Sequence, residues 1–249
     1  SKNEYGIYRP EPLNYHPIRK HLHFDPQPVA GNIPFYADTV RNPMCIDTPA
    51  CREWWDEQFD YCVNGYTTAG IYIPGRYYYF LNFQKISNNK WGEIYPFFND
   101  MQLEYFWALG WVEENKWLGL IAPKARRKGL SELGQTVLNH GIRFIDAYKG
   151  GVCAGISGYV TGFKDKFNKS NKHIRAEMKS SELLNNDKQI RFGYMVRNIL
   201  GKIEESGSMA QILMATMYDD PKKLEGEYFN HVICEESGEF PLLKSTIES

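Results

Sequence analysis

Residues 122–131 read APKARRKGLS and continue a short apolar run, WLGLIAP, at residues 117–123. The spacing approaches that of the phosphate-binding loop G-x-x-x-x-G-K-[ST], in which a lysine beside the final hydroxyl meets the nucleotide phosphates. Here Gly129, Leu130 and Ser131 fill the last three positions, so a leucine stands in place of that lysine. A strand, a glycine turn and a helix N-terminus together present N–H groups to a phosphate. The stretch predicts a strand over 117–123, a turn at Gly129 and a helix from Ser131.

The missing positive charge has candidates within the loop itself. Counting the motif backward from Gly129 places its first residue at Lys124, followed by Ala125. Because the loop curls around the phosphates, a side chain at its first residue can point inward as well as one at its seventh. Three further cations follow, and guanidinium groups suit bidentate contact with a γ-phosphate: Arg126, Arg127 and Lys128. The alternative is a basic surface turn of the kind found in nucleic-acid-binding proteins.

A second motif lies far downstream of this loop. Nucleoside triphosphatases of this type need an acidic residue at the end of a neighbouring apolar strand to hold Mg²⁺, often followed by a glutamate that polarises the attacking water. Residues 232–236, Val-Ile-Cys-Glu-Glu, supply such a pair in Glu235 and Glu236, and Ser131 supplies the hydroxyl for the same ion. Adjacent glutamates are also frequent at solvated loops. Their coincidence with the loop favours a nucleotide site.

The pattern from residue 117 onward is typical of an α/β fold. Short apolar runs alternate with helical segments, as in a mainly parallel sheet flanked by helices. After 117–123 the runs are 151–157, 210–217 and 229–234, and residues 131–148 place Leu138, Ile142 and Ile145 on one helical face. We therefore predict a P-loop NTPase core over residues 96–249, with a mainly parallel central sheet.

The chain before this core has a different composition. Eight of the 13 prolines lie within the first 50 residues, which predicts an extended Pro-rich arm over residues 1–47. Residues 48–95 form a second predicted region that packs on the core. It contains a helix over 48–65, which ends at Gly65.

A β-hairpin is predicted over residues 70–86, where bulky β-forming residues surround the turn pair Pro74-Gly75. Three consecutive tyrosines follow that pair, at positions 77, 78 and 79. We predict that they pack the hairpin against its neighbours, because aromatic residues are good strand formers. Stacking on nucleic-acid bases is the alternative.

The formal net charge of −1 conceals an uneven distribution of charge. Residues 116–175 hold twelve Lys or Arg against three Asp or Glu, whereas residues 219–249 hold three against eight. A basic block of this kind predicts a polyanionic partner, nucleotide or nucleic acid. A solvated helical face is the alternative for four of its lysines: Lys164, Lys166, Lys169 and Lys172.

Other classes of protein fit the composition poorly. No stretch approaches the roughly 18 uninterrupted apolar residues of a membrane-spanning helix, and the first residues lack the apolar core of a signal peptide. The five cysteines are irregularly spaced and odd in number, which argues against a disulfide framework. Without a C-x-x-C pair, buried or incidental thiols are also favoured over a zinc site. We expect a soluble intracellular protein that does not bind membranes.

With these motifs in place, the chain resembles the ATPase domain of the large terminase subunit, the motor that packages DNA into the heads of tailed bacteriophages. That family uses a variant loop, K-x-x-R-x-G-x-S, which Lys124, Arg127, Gly129 and Ser131 match. The resemblance implies that Lys124 binds phosphate and that Arg127 senses or stabilises the γ-phosphate. The family's acidic pair is usually Asp-Glu, so a glutamate in its first position departs from the pattern.

The resemblance implies further roles and partners. Glu235 would bind the metal, Glu236 would be the catalytic glutamate, and Gln102 in the segment YPFFNDMQLEYFW (95–107) would recognise adenine. A polar residue on the face of a packed helix is the alternative for Gln102. The cofactors would be ATP and Mg²⁺. The partners would be double-stranded DNA, the portal protein, the small terminase subunit and further copies of the chain in a ring on the procapsid, in the host cytoplasm.

Large terminases also contain a nuclease domain and an ATPase coupling motif, and neither is recognisable in these residues. We therefore expect the chain to be the N-terminal part of a longer protein, carrying the motor without the nuclease. Two other functions fit parts of the pattern. One is a helicase-like, nucleic-acid-dependent ATPase with the same core. The other is a non-catalytic DNA-binding or portal-docking module with a degenerate loop, for which Leu130 is the argument.

Overall fold

A computed structural model describes residues 49–68, 71–88, 92–96, 98–117, 119–122, 129–172, 182–218, 220 and 222–236. By the density of its internal contacts the chain divides into two compact units, Ser1–Leu130 and Ser131–Ser249. The predicted arm over residues 1–47 lies outside the described residues. The predicted boundary between residues 95 and 96 stays a prediction.

The first unit combines helices with two small antiparallel strand pairs. Its elements are α1 (Pro49–Asn64), β1 (Tyr66–Thr68), β2 (Ile71–Ile73), α2 (Gly75–Phe83), β3 (Ile86–Asn88), β4 (Gly92–Ile94) and α3 (Asp100–Glu114). Strand β1 pairs with β2, and β3 pairs with β4. The helix predicted over 48–65 is confirmed as α1, and Gly65 follows it at a φ of 86°, a left-handed conformation that suits glycine.

The β-hairpin predicted over residues 70–86 is wrong, because Pro74-Gly75 begins the helix α2 and does not form a hairpin turn. Proline is tolerated at a helix start, and the Tyr78 N–H donates to the Pro74 carbonyl at 2.9 Å. Every residue from Tyr77 to Phe83 is buried, so α2 has no polar face and no helical periodicity to read. The three tyrosines are fully buried, which confirms packing as their role.

The strand predicted over residues 117–123 is also wrong within the part that the structure describes, residues 117 and 119–122, which form no strand. The run begins by terminating α3: Lys116 adopts a φ of 54°, and the Trp117 N–H donates to the Val112 carbonyl at 2.9 Å. The Trp117 ring lies edge-on to Trp111 at 4.7 Å. Ile121 is 90% exposed, as expected for an apolar run that pairs with no described strand.

The second unit contains the larger sheet. Its elements are α4 (Leu130–Phe144), β5 (Lys149–Ala154), α5 (Ser157–Lys172), β6 (Glu182–Asn185), β7 (Gln189–Phe192), β8 (Tyr194–Arg197), β9 (Ile203–Ser206), β10 (Gln211–Thr216) and β11 (His231–Glu235). The sheet order is β11-β5-β10-β7-β6, and β8 and β9 form a separate antiparallel ribbon. Helix α4 confirms the helix predicted from Ser131, and the last three predicted apolar runs overlap β5, β10 and β11.

The five-stranded sheet is mixed and not mainly parallel. Strand β5 is parallel to both β10 and β11, whereas β7 is antiparallel to β10 and to β6. The parallel half matches the predicted α/β pattern. The antiparallel half was not predicted, because β6 and β7 have only four residues each and a polar segment, Asn186-Asp187-Lys188, joins them.

Helix α4 packs on the parallel half of the sheet and runs in the direction opposite to its strands. A Cβ on Gly134, near the start of α4, would lie 3.1 Å from Ile233 near the carboxyl end of β11. Further along the helix, Leu138 lies 2.9 Å from the point where a Cβ on Gly150 would stand, near the amino end of β5. The core between them includes Leu138, Ile142, Val152 and Phe163. The first turn of α4 is therefore at the carboxyl end of the strands.

Candidate nucleotide site

The end of β11 and the start of α4 carry the two residues predicted to hold Mg²⁺, and the structure brings them together. The Ser131 hydroxyl donates to Glu235 Oε2 at 2.9 Å, although 104 residues separate the two along the chain. Both side chains are half-buried. In the register of the sheet, Glu235 lies opposite Ala154 of β5, at the carboxyl edge. This edge is where ligands bind in open α/β sheets.

Glu236, the predicted catalytic glutamate, follows β11 directly and is half-buried. Its φ is 48°, a left-handed conformation that is uncommon for residues other than glycine. Such conformations cost about 1–3 kcal/mol each and concentrate at functional sites. The extended backbone of β11 ends at Glu235, and the chain changes direction at Glu236.

Of the predicted phosphate loop, the structure describes only the last three residues, Gly129, Leu130 and Ser131. Gly129 has a φ of 77°, which favours glycine, and α4 starts at the next residue. The turn and the helix N-terminus of the motif are thus present. The cations predicted to meet the phosphates, and the residue between them, lie outside the described residues: Lys124, Ala125, Arg126, Arg127 and Lys128.

Gln102, predicted to recognise adenine, lies in the first turn of α3. Its Nε2 atom is 3.9 Å from the point where a Cβ on Gly129 would stand, so the glycine turn and the amide are neighbours within the first unit. The Oε1 atom is buried and has no hydrogen-bond partner among the described residues. An amide that offers both a donor and an acceptor suits an adenine edge. The role of Gln102 stays a prediction.

The side chains near Ser131 suit a magnesium ion by their chemistry. Mg²⁺ prefers oxygen ligands, and it usually binds through one or two carboxylates together with waters and substrate phosphates. Ser131 and Glu235 offer a hydroxyl and a carboxylate in direct contact. Among the described residues there is no group of three or more His, Cys, Asp or Glu that could hold a metal ion. A magnesium site in which nucleotide phosphates supply the remaining ligands does not need such a group of side chains.

The lysines of α5 are partly used in ion pairs. Lys164 donates to Asp187 at 2.6 Å, and Lys166 lies 3.7 Å from Glu132. The hydrogen bond from Lys164 lowers the pKa of Asp187. Both lysines are half-buried, and whether the α5 lysines bind a polyanion stays a prediction.

Two thiols beside the candidate site were missed by sequence reasoning. Cys153 of β5 and Cys234 of β11 are opposite each other in the sheet, and their sulfur atoms are 3.2 Å apart. The hydrogen bond between the thiols, together with burial, raises the pKa of Cys153, and the same bond lowers that of Cys234. Separated by 81 residues and lacking a C-x-x-C spacing, the pair leaves no local signal in the sequence.

No protein-family model matches the chain, and the comparison with curated proteins gives no match either. Within the described residues, no helix combines the length and the apolar character needed to cross a membrane.

Proposed function

We propose that the chain is an ATPase that binds Mg-ATP at the first turn of α4 and at the end of β11, and that it drives DNA packaging as a large terminase subunit does. One observation carries the nucleotide site: the hydrogen bond between Ser131 and Glu235. The two motifs that share an ion in P-loop ATPases are a loop hydroxyl and an acidic strand end. Here they are in contact despite their distance along the chain.

Three properties of the second unit support a hydrolytic role. The N-terminus of α4 presents N–H groups and a positive dipole end to a phosphate. Glu235 and Ser131 are arranged to hold Mg²⁺, which would neutralise charge on the phosphates when bound. Glu236 stands one residue beyond the metal ligand, with a backbone conformation that sets its direction apart from that of Glu235.

In the proposed reaction, Glu236 orients a water molecule for in-line attack on the γ-phosphate. Lys124 and Arg127 stabilise the negative charge of the transition state, as the resemblance to terminases implies. An arginine from a neighbouring subunit of a ring would complete the site. Phosphate release would then move duplex DNA held through backbone contacts, so binding should be independent of sequence and weakened by salt.

The test is DNA-stimulated ATP hydrolysis by the intact protein. We expect Lys124→Ala and Glu236→Gln to lower the rate by about 100-fold or more, because each removes a group that acts on the transition state. Arg127→Ala should retain nucleotide binding and lose hydrolysis. If Lys124→Ala and Glu236→Gln both hydrolyse ATP at the wild-type rate, the site assignment is wrong. Unaltered turnover in Arg127→Ala would remove that residue from the mechanism.

The other two functions are separated by what the wild-type protein does. A helicase-like ATPase would hydrolyse ATP but would neither dock on a portal nor translocate duplex DNA. A non-catalytic module would bind DNA or a portal without turnover. The contact between Ser131 and Glu235 favours a working site over the non-catalytic module, because a degenerate loop has no need to keep its metal ligands together.

A further inference from the structure

Cys153 and Cys234 are placed as the two halves of a disulfide. They are directly opposed on the parallel strands β5 and β11, and their sulfur atoms are 3.2 Å apart. Neighbouring strands lie about 4.8 Å apart, which is within the range of Cα separations that a disulfide spans. A sulfur–sulfur bond is about 2.0 Å long, so the sulfurs must approach by only about 1 Å. Side-chain rotation can provide most of that movement.

The two thiols differ in their access to solvent. Cys153 is fully buried and packs with Met217, while Cys234 is half-buried at the edge of this cluster. A small oxidant therefore reaches Cys234 first. Both residues are free thiols in this structure.

We propose that Cys153 and Cys234 are a reversible modification site, oxidised by low-molecular-weight disulfides such as oxidised glutathione. The Cys234 sulfur attacks the small disulfide, forms a mixed disulfide and releases one small thiol. The Cys153 sulfur then attacks the Cys234 sulfur of the mixed disulfide and releases the second small thiol. One small disulfide is reduced to two thiols, and the two protein thiols lose their protons and are oxidised to one disulfide.

The position of the pair gives the modification a consequence, which rests on the proposed function. Cys234 immediately precedes Glu235, the residue that accepts the hydrogen bond from Ser131. Disulfides favour a Cα separation of about 5.5–6 Å, longer than the roughly 4.8 Å between neighbouring strands, so a bond between Cys153 and Cys234 strains the end of β11 and shifts the Glu235 carboxylate away from Ser131. Directly opposed residues on adjacent strands lie at the short end of the disulfide range, so the bond should be easily reduced. The oxidised protein should hydrolyse ATP at least about fivefold more slowly, and dithiothreitol should restore the rate.

The first experiment treats the intact native protein with oxidised glutathione and maps its peptides by mass spectrometry. We expect a peptide cross-linked through Cys153 and Cys234, absent after dithiothreitol and absent from Cys153→Ser and Cys234→Ser. Cys62→Ser is the matched control, since it removes a buried thiol of the first unit and should leave the cross-link intact. The proposal is overturned if both thiols stay reduced, or if Cys234 stops at the mixed disulfide. Cys→Ala variants serve if a serine variant does not fold.

The second experiment measures ATP turnover before oxidation, after oxidation and after reduction. Loss of activity in wild type but not in Cys153→Ser supports the link to the nucleotide site. Equal turnover of the reduced and cross-linked proteins overturns that link. If oxidation forms the cross-link but the reduced protein does not hydrolyse ATP, the proposed function is contradicted and the modification site still stands. The two failures are therefore distinguishable.

Discussion

The two ends of β5 and β11 carry polar groups of different kinds. At the amino end the polar groups are paired with one another: Tyr148 OH is 3.0 Å from His231 Nδ1, and the Lys149 N–H donates to Asn230 Oδ1 at 2.8 Å. At the carboxyl end the polar groups are Ser131, whose hydroxyl contacts Glu235, and Glu236, whose backbone is left-handed.

We propose that this difference separates residues that stabilise the sheet from residues that bind a ligand. Neutral hydrogen bonds such as those at the amino end contribute about 1 kcal/mol each to stability. A carboxylate beside a hydroxyl at the carboxyl edge retains oxygen lone pairs for a metal ion. Substitutions at the amino end should therefore change stability, and substitutions at the carboxyl end should change activity.

The largest expected difference is between the effects on ATP turnover of removing a carboxylate at the carboxyl end and of removing one at the amino end. Glu236→Gln should lower ATP turnover by about 100-fold or more, since it removes the group proposed to orient the water. Glu227→Gln, which breaks the ion pair with Lys149 at the amino end, should leave turnover within about twofold, because exposed ion pairs contribute about 0–1 kcal/mol. Steady-state hydrolysis assays on both variants check this. Equal losses would remove the functional distinction between the two ends.

The next effect concerns stability at the amino end. A Cβ on Gly141 would lie 2.2 Å from the buried ring of Tyr148, so Gly141→Ala should lower the free energy of unfolding by about 1–3 kcal/mol. Gly162→Ala is the matched control: it lies within α5, has open space around it and should gain up to about 1 kcal/mol. Urea unfolding measures both. A Gly141→Ala protein as stable as wild type would contradict the packing of α4 on the sheet.

A smaller effect is expected from the loop hydroxyl. Ser131→Ala should lower turnover by about tenfold, while Ser131→Thr, which keeps a hydroxyl, should retain most of it. Hydrolysis rates measured across a series of magnesium concentrations check the cause, because Ser131→Ala should also need more Mg²⁺ for half-maximal rate. An unchanged magnesium requirement would show that this hydroxyl does not contact the ion.

The smallest effect compares two left-handed residues. Ala147, at the amino end, has a φ of 53°, and Glu236 has a φ of 48°. Glycine at either position should raise the free energy of unfolding by up to about 1 kcal/mol, because glycine adopts this conformation without strain. Only Glu236→Gly should also lose turnover. Thermal unfolding and ATP hydrolysis are measured on both variants. A loss of activity in Ala147→Gly as large as in Glu236→Gly would contradict this account.

The sequence predicted those elements in which apolar residues repeat along one face. Helix α4 was predictable because Leu138 and Ile142 repeat along one face, and the contact between Ser131 and Glu235 was predictable because the sequence proposed both as ligands of one Mg²⁺. Helix α2 was not, because its aromatic residues are buried on all sides and resemble a strand in composition. The run at 117–122 is equally apolar, yet its first residues close α3.

Features that depend on the register of the sheet were beyond a single sequence. The contact between Cys153 and Cys234 requires β5 and β11 to be neighbours, parallel and aligned at one residue. Neither the strand order nor the register follows from local composition, since a shift of one residue turns every side chain to the other face. The antiparallel half of the sheet was missed for a related reason, since four-residue strands carry too short a pattern.

The most direct test of the nucleotide site is the magnesium dependence of ATP binding. In the intact Glu236→Gln protein, which should bind ATP without hydrolysing it, titration calorimetry with and without Mg²⁺ measures what the ion contributes. The account predicts that removing Mg²⁺ weakens binding at least about tenfold, and that adding Glu235→Ala abolishes this difference. Equal affinity with and without Mg²⁺, or the same magnesium dependence after Glu235→Ala, would contradict the assignment of Ser131 and Glu235 as metal ligands.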